Sequence, residues 1–419
     1  MMQFESFSII IALAALFSFV NHKWLKLPST IGLMLMALVS AIILLALRNV
    51  LPVTYDYFCS VIETVDFERT LMDVMLSFLL FAGALKVNVR ALEKEKWTVF
   101  LFATLGLLIS TAIVGFLIYL VCDLVGMPLP ILHCMLFGAI ISPTDPIAVL
   151  GILKTANVSE QLSIKIEGES LFNDGIGVVV FLGLLSFIEL GPDHEGLSGI
   201  LELFVHEAIG GIAFGAVLGY VGYKLLIMIE DDAKIGVLIT LAVVMGGYSL
   251  ASALHTSGPL AMVTAGLIVG NHIHKKTFSK STNEFIDGFW ELIDEILNTV
   301  LFVLIGFVAQ TLQFETGFIL ISVIAIIVSL LARFISVGGL FSLLKHRSDK
   351  WLPITLVLTW GGLRGGISVA LAMSIPLIEG RDLFIFMTYI IVVFSILVQG
   401  MTIGKLVTKL KLQKGANRN

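Results

Sequence analysis

The chain has 419 residues, of which 58% are hydrophobic and only 14% charged, with a mean hydropathy of +1.01. Soluble domains hold about 45–50% apolar and about 25% charged residues, so this composition describes an integral membrane protein and excludes a soluble enzyme or a nucleic-acid binder. Crossing a hydrocarbon core of roughly 30 Å takes about 20 apolar residues per helix, which leaves no room for a large ectodomain. The net charge is −5, and the three cysteines (Cys59, Cys122, Cys134) have neither paired nor metal-ligating spacing.

The first apolar run, residues 6–20, follows Glu5 and lacks the basic start of a signal peptide, so it reads as a retained first helix. Apolar stretches parted by charged or turn-forming residues then predict thirteen spans. Their expected bounds are 5–21, 28–47, 70–86, 97–122, 130–152, 165–189, 199–229, 234–254, 257–271, 285–312, 316–344, 351–377 and 383–404. Strand-like alternation is absent, and lipid admits only helices or closed barrels; the expected fold is an all-α polytopic bundle. The acidic connection from Arg48 to Thr70 reads as a simple cap on the outer face.

Orientation follows from the basic residues. Of 26 Lys and Arg, 21 fall on one side of this layout, among them Lys26, Lys86, Arg90, Lys154, Lys275, Lys276, Lys345 and the tail from Lys405 to Arg418. Arg48, Arg69 and Arg381 fall on the other, and Arg333 and Arg364 lie inside spans. The excess of positive charge on inner connections places the N-terminus outside and the C-terminus in the cytoplasm of a cell-membrane protein.

Two spans are interrupted. Span 5 holds Ser142-Pro143-Thr144-Asp145-Pro146, where each proline removes a backbone donor and disfavours helix in the residue before it. Span 12 holds Gly361-Gly362-Leu363-Arg364-Gly365-Gly366. The breaks are offset by seven spans, as expected if spans 4–6 and 11–13 are inverted repeats about a linking seventh, with the broken helices crossing at the midplane. Paired broken helices in corresponding halves point to a transporter's binding site.

Span 6 opens Glu167-Gly168-Glu169-Ser170-Leu171-Phe172-Asn173-Asp174-Gly175. Helical spacing puts Glu167, Ser170 and Asp174 on one face and Glu169 and Asn173 on the next. An intramembrane carboxylate faces protein or a wet cavity, and it can hold either a proton or a small hard cation that takes oxygen ligands. Asp174, Asp145, Thr144, Ser170 and the Asn173 amide would form such an all-oxygen site, with Asp145 either binding the ion or compensating partial charges at the broken helix ends. Glu169 reads as a structural partner of Arg333, since an unpaired buried charge is strongly destabilising. Arg364 reads as structural too, counted with Glu169 and Arg333 among the ion-paired groups, its charge standing in the span 12 break.

These motifs, Ser142 to Val149, Gly168 to Gly175 and Gly361 to Gly366, resemble the signatures of the sodium/proton antiporters of the NhaP type, relatives of the eukaryotic exchangers. The resemblance implies a six-helix core domain moving against a dimerisation domain in a homodimer. Residues 1–96 would be dimerisation helices 1–3, 97–190 core helices 4–6, and 191–313 the linking helix 7 with dimerisation helices 8–10. Residues 314–404 would be core helices 11–13, and 405–419 a cytoplasmic tail. It also implies that Asp174 binds cation and proton, that Asn173 completes the Asn-Asp pair of electroneutral members, that Thr144, Asp145 and Ser170 sit at the site, and that Glu169 pairs with Arg333. One departure stands out: Phe81-Ala82-Gly83 has alanine where many relatives place an acid, whose role would be lost or moved to Asp73.

The expected function is therefore secondary antiport of a monovalent cation, sodium and also lithium, against protons. No cofactor beyond the transported ions, no enzyme activity and no nucleic-acid partner is expected. Potassium/proton exchange and a cation channel are the alternatives. A neutral Asn173 beside Asp174 lets one proton replace one cation without a change of charge, which suggests electroneutral 1:1 exchange. Two weaker signals remain. Glu284, Asp287, Glu291, Asp294 and Glu295 form either a solvated face or the wall of a cation-gathering funnel, and His272 and His274 form either an ordinary loop or a pH sensor.

Overall fold

The computed structural model describes residues 2–64, 70–146, 149–151, 153, 158–190, 197–229, 231–273, 279–312, 314–343, 351–410 and 412. Thirteen helical spans are present among them. Spans 1 to 4 are Phe4–Leu25, Ser29–Ala46, the π-turn Thr70–Met75 continued by Leu76–Lys86, and Val89–Val125. Span 5 starts as Ile131–Ile141, breaks, and is helical again at 149–151. Spans 6 to 11 are Glu160–Leu190, Leu197–Met228, Ala233–Ala253, Gly258–His272, Lys280–Val308 and Thr316–Leu343. Span 12 is split into Trp351–Trp360 and Gly366–Met373, and span 13 is Arg381–Lys409.

Helices begin where side chains satisfy their first amides. Asn88 accepts from the Ala91 amide and starts span 4 eight residues before its apolar stretch; Asp232, Ser257 and Ser279 do the same for spans 8, 9 and 10. These polar first turns are invisible to hydropathy, which explains the late starts expected for spans 4 and 10. Three further differences are clear. The outer connection expected to be a bare cap carries a helix, Pro52–Thr64, with proline at its first position. Span 12 ends at Met373, short of residue 377, where Arg381 Nε donates to the Ile375 carbonyl at 2.6 Å. Span 13 runs as helix to Lys409, five residues beyond its expected end at 404. Arg69, Lys154, His274, Lys275, Lys276, Lys345 and Arg418 lie outside the described residues.

Small residues let the helices approach closely, the usual packing device in lipid. Gly211, Gly215 and Gly219 of span 7 recur at the intervals of one helical face and meet Ser257, Ala261 and Ala265 of span 9; a Cβ on Gly215 would stand 2.4 Å from the Ala261 carbonyl oxygen. Gly266 and Gly270 of span 9 take the backbone of span 3 in the same way, and Gly138 of span 5 takes the Thr111 carbonyl of span 4. Gly215→Leu should part spans 7 and 9. Overpacking of this kind costs about 1–3 kcal/mol, read as a lower melting temperature of the detergent-solubilised protein; an unchanged melting curve would show that this contact yields freely.

Candidate functional site: a cavity ending at the crossed breaks

The two interruptions cross and bond to each other. The Asp145 amide in the span 5 break donates to the Leu363 carbonyl in the span 12 break at 2.7 Å. Arg364 Nη1 reaches back to the carbonyls of Ser142 and Pro143, the latter at 2.8 Å. Expected to serve its own break and to take part in an ion pair, Arg364 has no carboxylate partner among the described residues. It meets two carbonyls of the span 5 break, where Pro146 has no amide to donate to the Ser142 carbonyl. Its guanidinium carries several in-plane donors, so one side chain can satisfy two such acceptors. Close approach is permitted by two glycines: a Cβ on Gly365 would lie 2.1 Å from Asp145 Oδ2, and one on Gly177 would lie 2.3 Å from the Pro143 ring.

Span 6 meets this crossing with three faces. Asn173 spends its amide on Thr144: the Thr144 amide donates to Asn173 Oδ1 at 3.3 Å, and Asn173 Nδ2 donates to Thr144 Oγ1 at 2.9 Å. Ser170 Oγ lies 2.9 Å from Thr144 Oγ1. One turn away, Arg333 of span 11 donates to Glu169 Oε1, both side chains being 5% exposed or less. Asp174 differs from all of these. Among the described residues its carboxylate has no hydrogen-bond or ion-pair partner, although the residue is only 7% exposed. It shares the wall of one cavity with Asp145.

Asp174 lines a cavity of about 800 Å³. Its wall on one side comes from spans 5, 6 and 12 through Thr144, Asp145, Glu167, Asp174 and Ser368, and on the other from spans 2, 3 and 10 through Leu33, Gly83, Glu291, Asp294, Glu295 and Asn298. Lys26 and Lys86 line it too, so it reaches the face that carries most of the basic connections. Thr144, Asp145 and Asp174 are thus the expected site residues on the cavity wall; Ser170 and Asn173 stand behind Thr144 and fix it. The acidic stripe divides. Glu291, Asp294 and Glu295 belong to the cavity wall, with Lys86 Nζ 3.0 Å from Asp294, whereas Glu284 pairs with Lys280 on the surface.

A negatively lined pocket ending at an unpartnered carboxylate between two broken helices has the form of an ion-binding site in a carrier. The description "sodium/hydrogen exchanger, transmembrane" matches residues 9–409. The chain belongs to the sodium/hydrogen exchanger family. Among its relatives, the Na(+)/H(+) antiporter NhaP of Pseudomonas aeruginosa is 45% identical over 96% of this chain and 95% of its own. The NhaH antiporter of Halobacillus dabanensis is 35% identical over 93% of each chain. The sodium proton antiporter MjNhaP1 of Methanocaldococcus jannaschii has the same fold, with a TM-score of 0.76 over 98% of this chain and 99% of that one at 21% identity.

In this exchanger Ala82 is fully buried, while its neighbour Gly83 lines the cavity; the side chain of Asp73 lies outside the described residues. His272 Nδ1 lies 2.7 Å from the Ile268 carbonyl oxygen, and its ring centroid is 3.9 Å from that of Tyr223. Sequence reasoning missed Ser395 and Gln399 of span 13, which bond to the span 12 break. Their signal was available as two polar residues four apart in an apolar helix. Glu169→Gln should destabilise the protein by about 3–5 kcal/mol by stranding the Arg333 charge, and Glu169→Gln with Arg333→Met should recover most of the loss. Thermal unfolding of the wild type and the two variants in detergent checks this, and a neutral single change would remove the pair from the stabilising framework.

Proposed function

We propose that the protein exchanges sodium, and also lithium, for protons across the cell membrane by alternating access, with Asp174 binding cation and proton in turn. The observation that carries this reading is the buried Asp174 carboxylate, without a partner among the described residues, at the end of an acidic cavity, in a chain whose relatives are named Na(+)/H(+) antiporters. A monovalent cation prefers oxygen ligands, and Asp174, Asp145 and Thr144 offer them from the cavity wall; Ser170 and Asn173 hold Thr144 in place. Arrival of a proton neutralises Asp174 and removes the charge that retains the cation. Departure of the proton restores it. One proton then replaces one cation, and the neutral Asn173 beside Asp174 adds no second titrating group, which supports electroneutral 1:1 exchange.

The cavity lies between two groups of spans, which supports the division into a moving core and a stationary domain. Spans 5, 6 and 12 carry the site residues, while spans 2, 3 and 10 supply the opposing wall. In this reading spans 4–6 and 11–13 slide against spans 1–3 and 8–10, the stationary part also joining two copies in a homodimer. Lys26 and Lys86 at the cavity wall support a cytoplasmic opening under the positive-inside pattern, with the N-terminus outside and the C-terminus in the cytoplasm. Glu291, Asp294 and Glu295 raise the local cation concentration near the opening.

Asp174→Asn should abolish sodium-driven proton movement in proteoliposomes carrying an internal pH dye, while the variant elutes and melts as a folded protein. Retained exchange would overturn the assignment. Asn173→Asp should fold and change the pH profile of exchange, because it adds a carboxylate beside Asp174 and breaks the amide's donation to Thr144; an unaltered profile would make Asn173 a spectator. The same vesicles challenged with sodium, lithium and potassium report which cation is carried.

A further inference from the structure

The gap in span 12 is closed by two side chains of span 13. Ser395 and Gln399 stand four residues apart on one face, at the ends of the π-turn Ser395–Gln399, a helical irregularity that is frequent at functional sites. Gln399 Nε2 donates to the Trp360 carbonyl at 3.0 Å, the last residue before the gap. Ser395 Oγ donates to Gln399 Oε1 at 2.7 Å and accepts from the Arg364 amide at 2.9 Å, near the far end of the gap, which runs from residue 361 to 365. The hydrogen bonds therefore form one chain from Trp360 to Arg364 that spans residues 361–363. Ser395 is fully buried and Gln399 is 3% exposed. Without these two side chains a carbonyl and an amide of the broken helix would be left unpaired inside the membrane, where neither water nor lipid replaces the bond.

Among the described residues the pair hydrogen-bonds none of the side chains that line the cavity, yet it sits one step from them. Leu363, held inside the closed gap, accepts from the Asp145 amide, and Arg364, held at its end, reaches the carbonyls of Ser142 and Pro143. The position of the gap thus sets where the span 5 break lies, and with it Thr144 and Asp145 relative to Asp174. We propose that Ser395 and Gln399 are positioning residues of the transport site, which act through the span 12 gap to set cation affinity and the competition between cation and proton. This rests on the transport reading above and extends it to two residues of a helix that contributes nothing to the cavity wall among its described lining.

The test compares full-length wild type, Ser395→Ala, Gln399→Leu, Ser395→Thr and Thr402→Val in proteoliposomes, measuring the sodium KM, the turnover and the pH profile, together with the melting temperature. Loss of one hydrogen bond that fixes the site corresponds to about a tenfold change in affinity at ~1.4 kcal/mol. Ser395→Ala and Gln399→Leu should raise the sodium KM about tenfold and displace the pH midpoint, while Ser395→Thr, which keeps the hydroxyl, restores both. Thr402 bonds the Trp360 indole and not the gap, so Thr402→Val should keep the wild-type KM. A lower melting temperature with unchanged KM and pH midpoint would assign the pair to structure alone and overturn the proposal, as would failure of both Ser395→Ala and Gln399→Leu to fold. If the wild type moves no proton in response to any alkali cation, the transport reading itself fails before the variants are compared. A cation other than sodium leaves the comparison intact with that cation's KM.

Discussion

A backbone that unwinds inside a bilayer must find partners for every amide and carbonyl it exposes, since the hydrocarbon supplies none. Most of this protein's architecture around the site answers that requirement. The span 5 break frees carbonyls because two prolines cannot donate, and the span 12 break frees both donors and acceptors because its glycines do not hold a helix. The breaks solve the problem jointly: Asp145 donates to Leu363, and the Arg364 guanidinium takes the carbonyls of Ser142 and Pro143. Span 13 supplies two more partners through Ser395 and Gln399, for the Arg364 amide and the Trp360 carbonyl.

With the backbone satisfied in this way, the charged side chains take different roles. Glu169 and Arg333 neutralise each other, Arg364 is absorbed by carbonyls, and Asn173 is absorbed by Thr144. Asp174 alone among the described residues of this cluster is left without a partner, and it faces the cavity. That selective lack of a partner is what suits a carboxylate to reversible binding. A residue locked to a base would hold its charge through the cycle, whereas one facing a wet, negatively lined cavity exchanges ligands at little cost in reorganisation.

The span layout was legible in the sequence because membrane insertion is governed by local composition: twenty apolar residues are a helix wherever they occur. The late starts expected for spans 4 and 10 and the early end expected for span 13 share one cause. Asn88, Asp232 and Ser279 start helices in polar segments, and span 13 continues through Lys405 and Lys409, so helix and membrane boundaries do not coincide there. Of the site, Pro143, Thr144, Asp145 and Asp174 stood out because prolines and acids are costly in a span. Helical spacing grouped Ser170 with Asp174 and put Asn173 on the neighbouring face with Glu169; it gives the face of a side chain but not what stands opposite.

What the sequence determined by itself was the class of molecule, the thirteen spans, the two breaks and the acid at the centre, all of which follow from the cost of placing a given residue in lipid. Only the tertiary structure decided how those costs are met. Whether Arg364 meets a carboxylate or a pair of carbonyls, whether Asn173 faces an ion or a threonine, and whether a stripe of acids lines a surface or a cavity depend on contacts between residues up to 222 positions apart. Hydrogen bonds are directional and short in reach, so their partners follow from helix packing, and packing is a property of the whole bundle rather than of any one span.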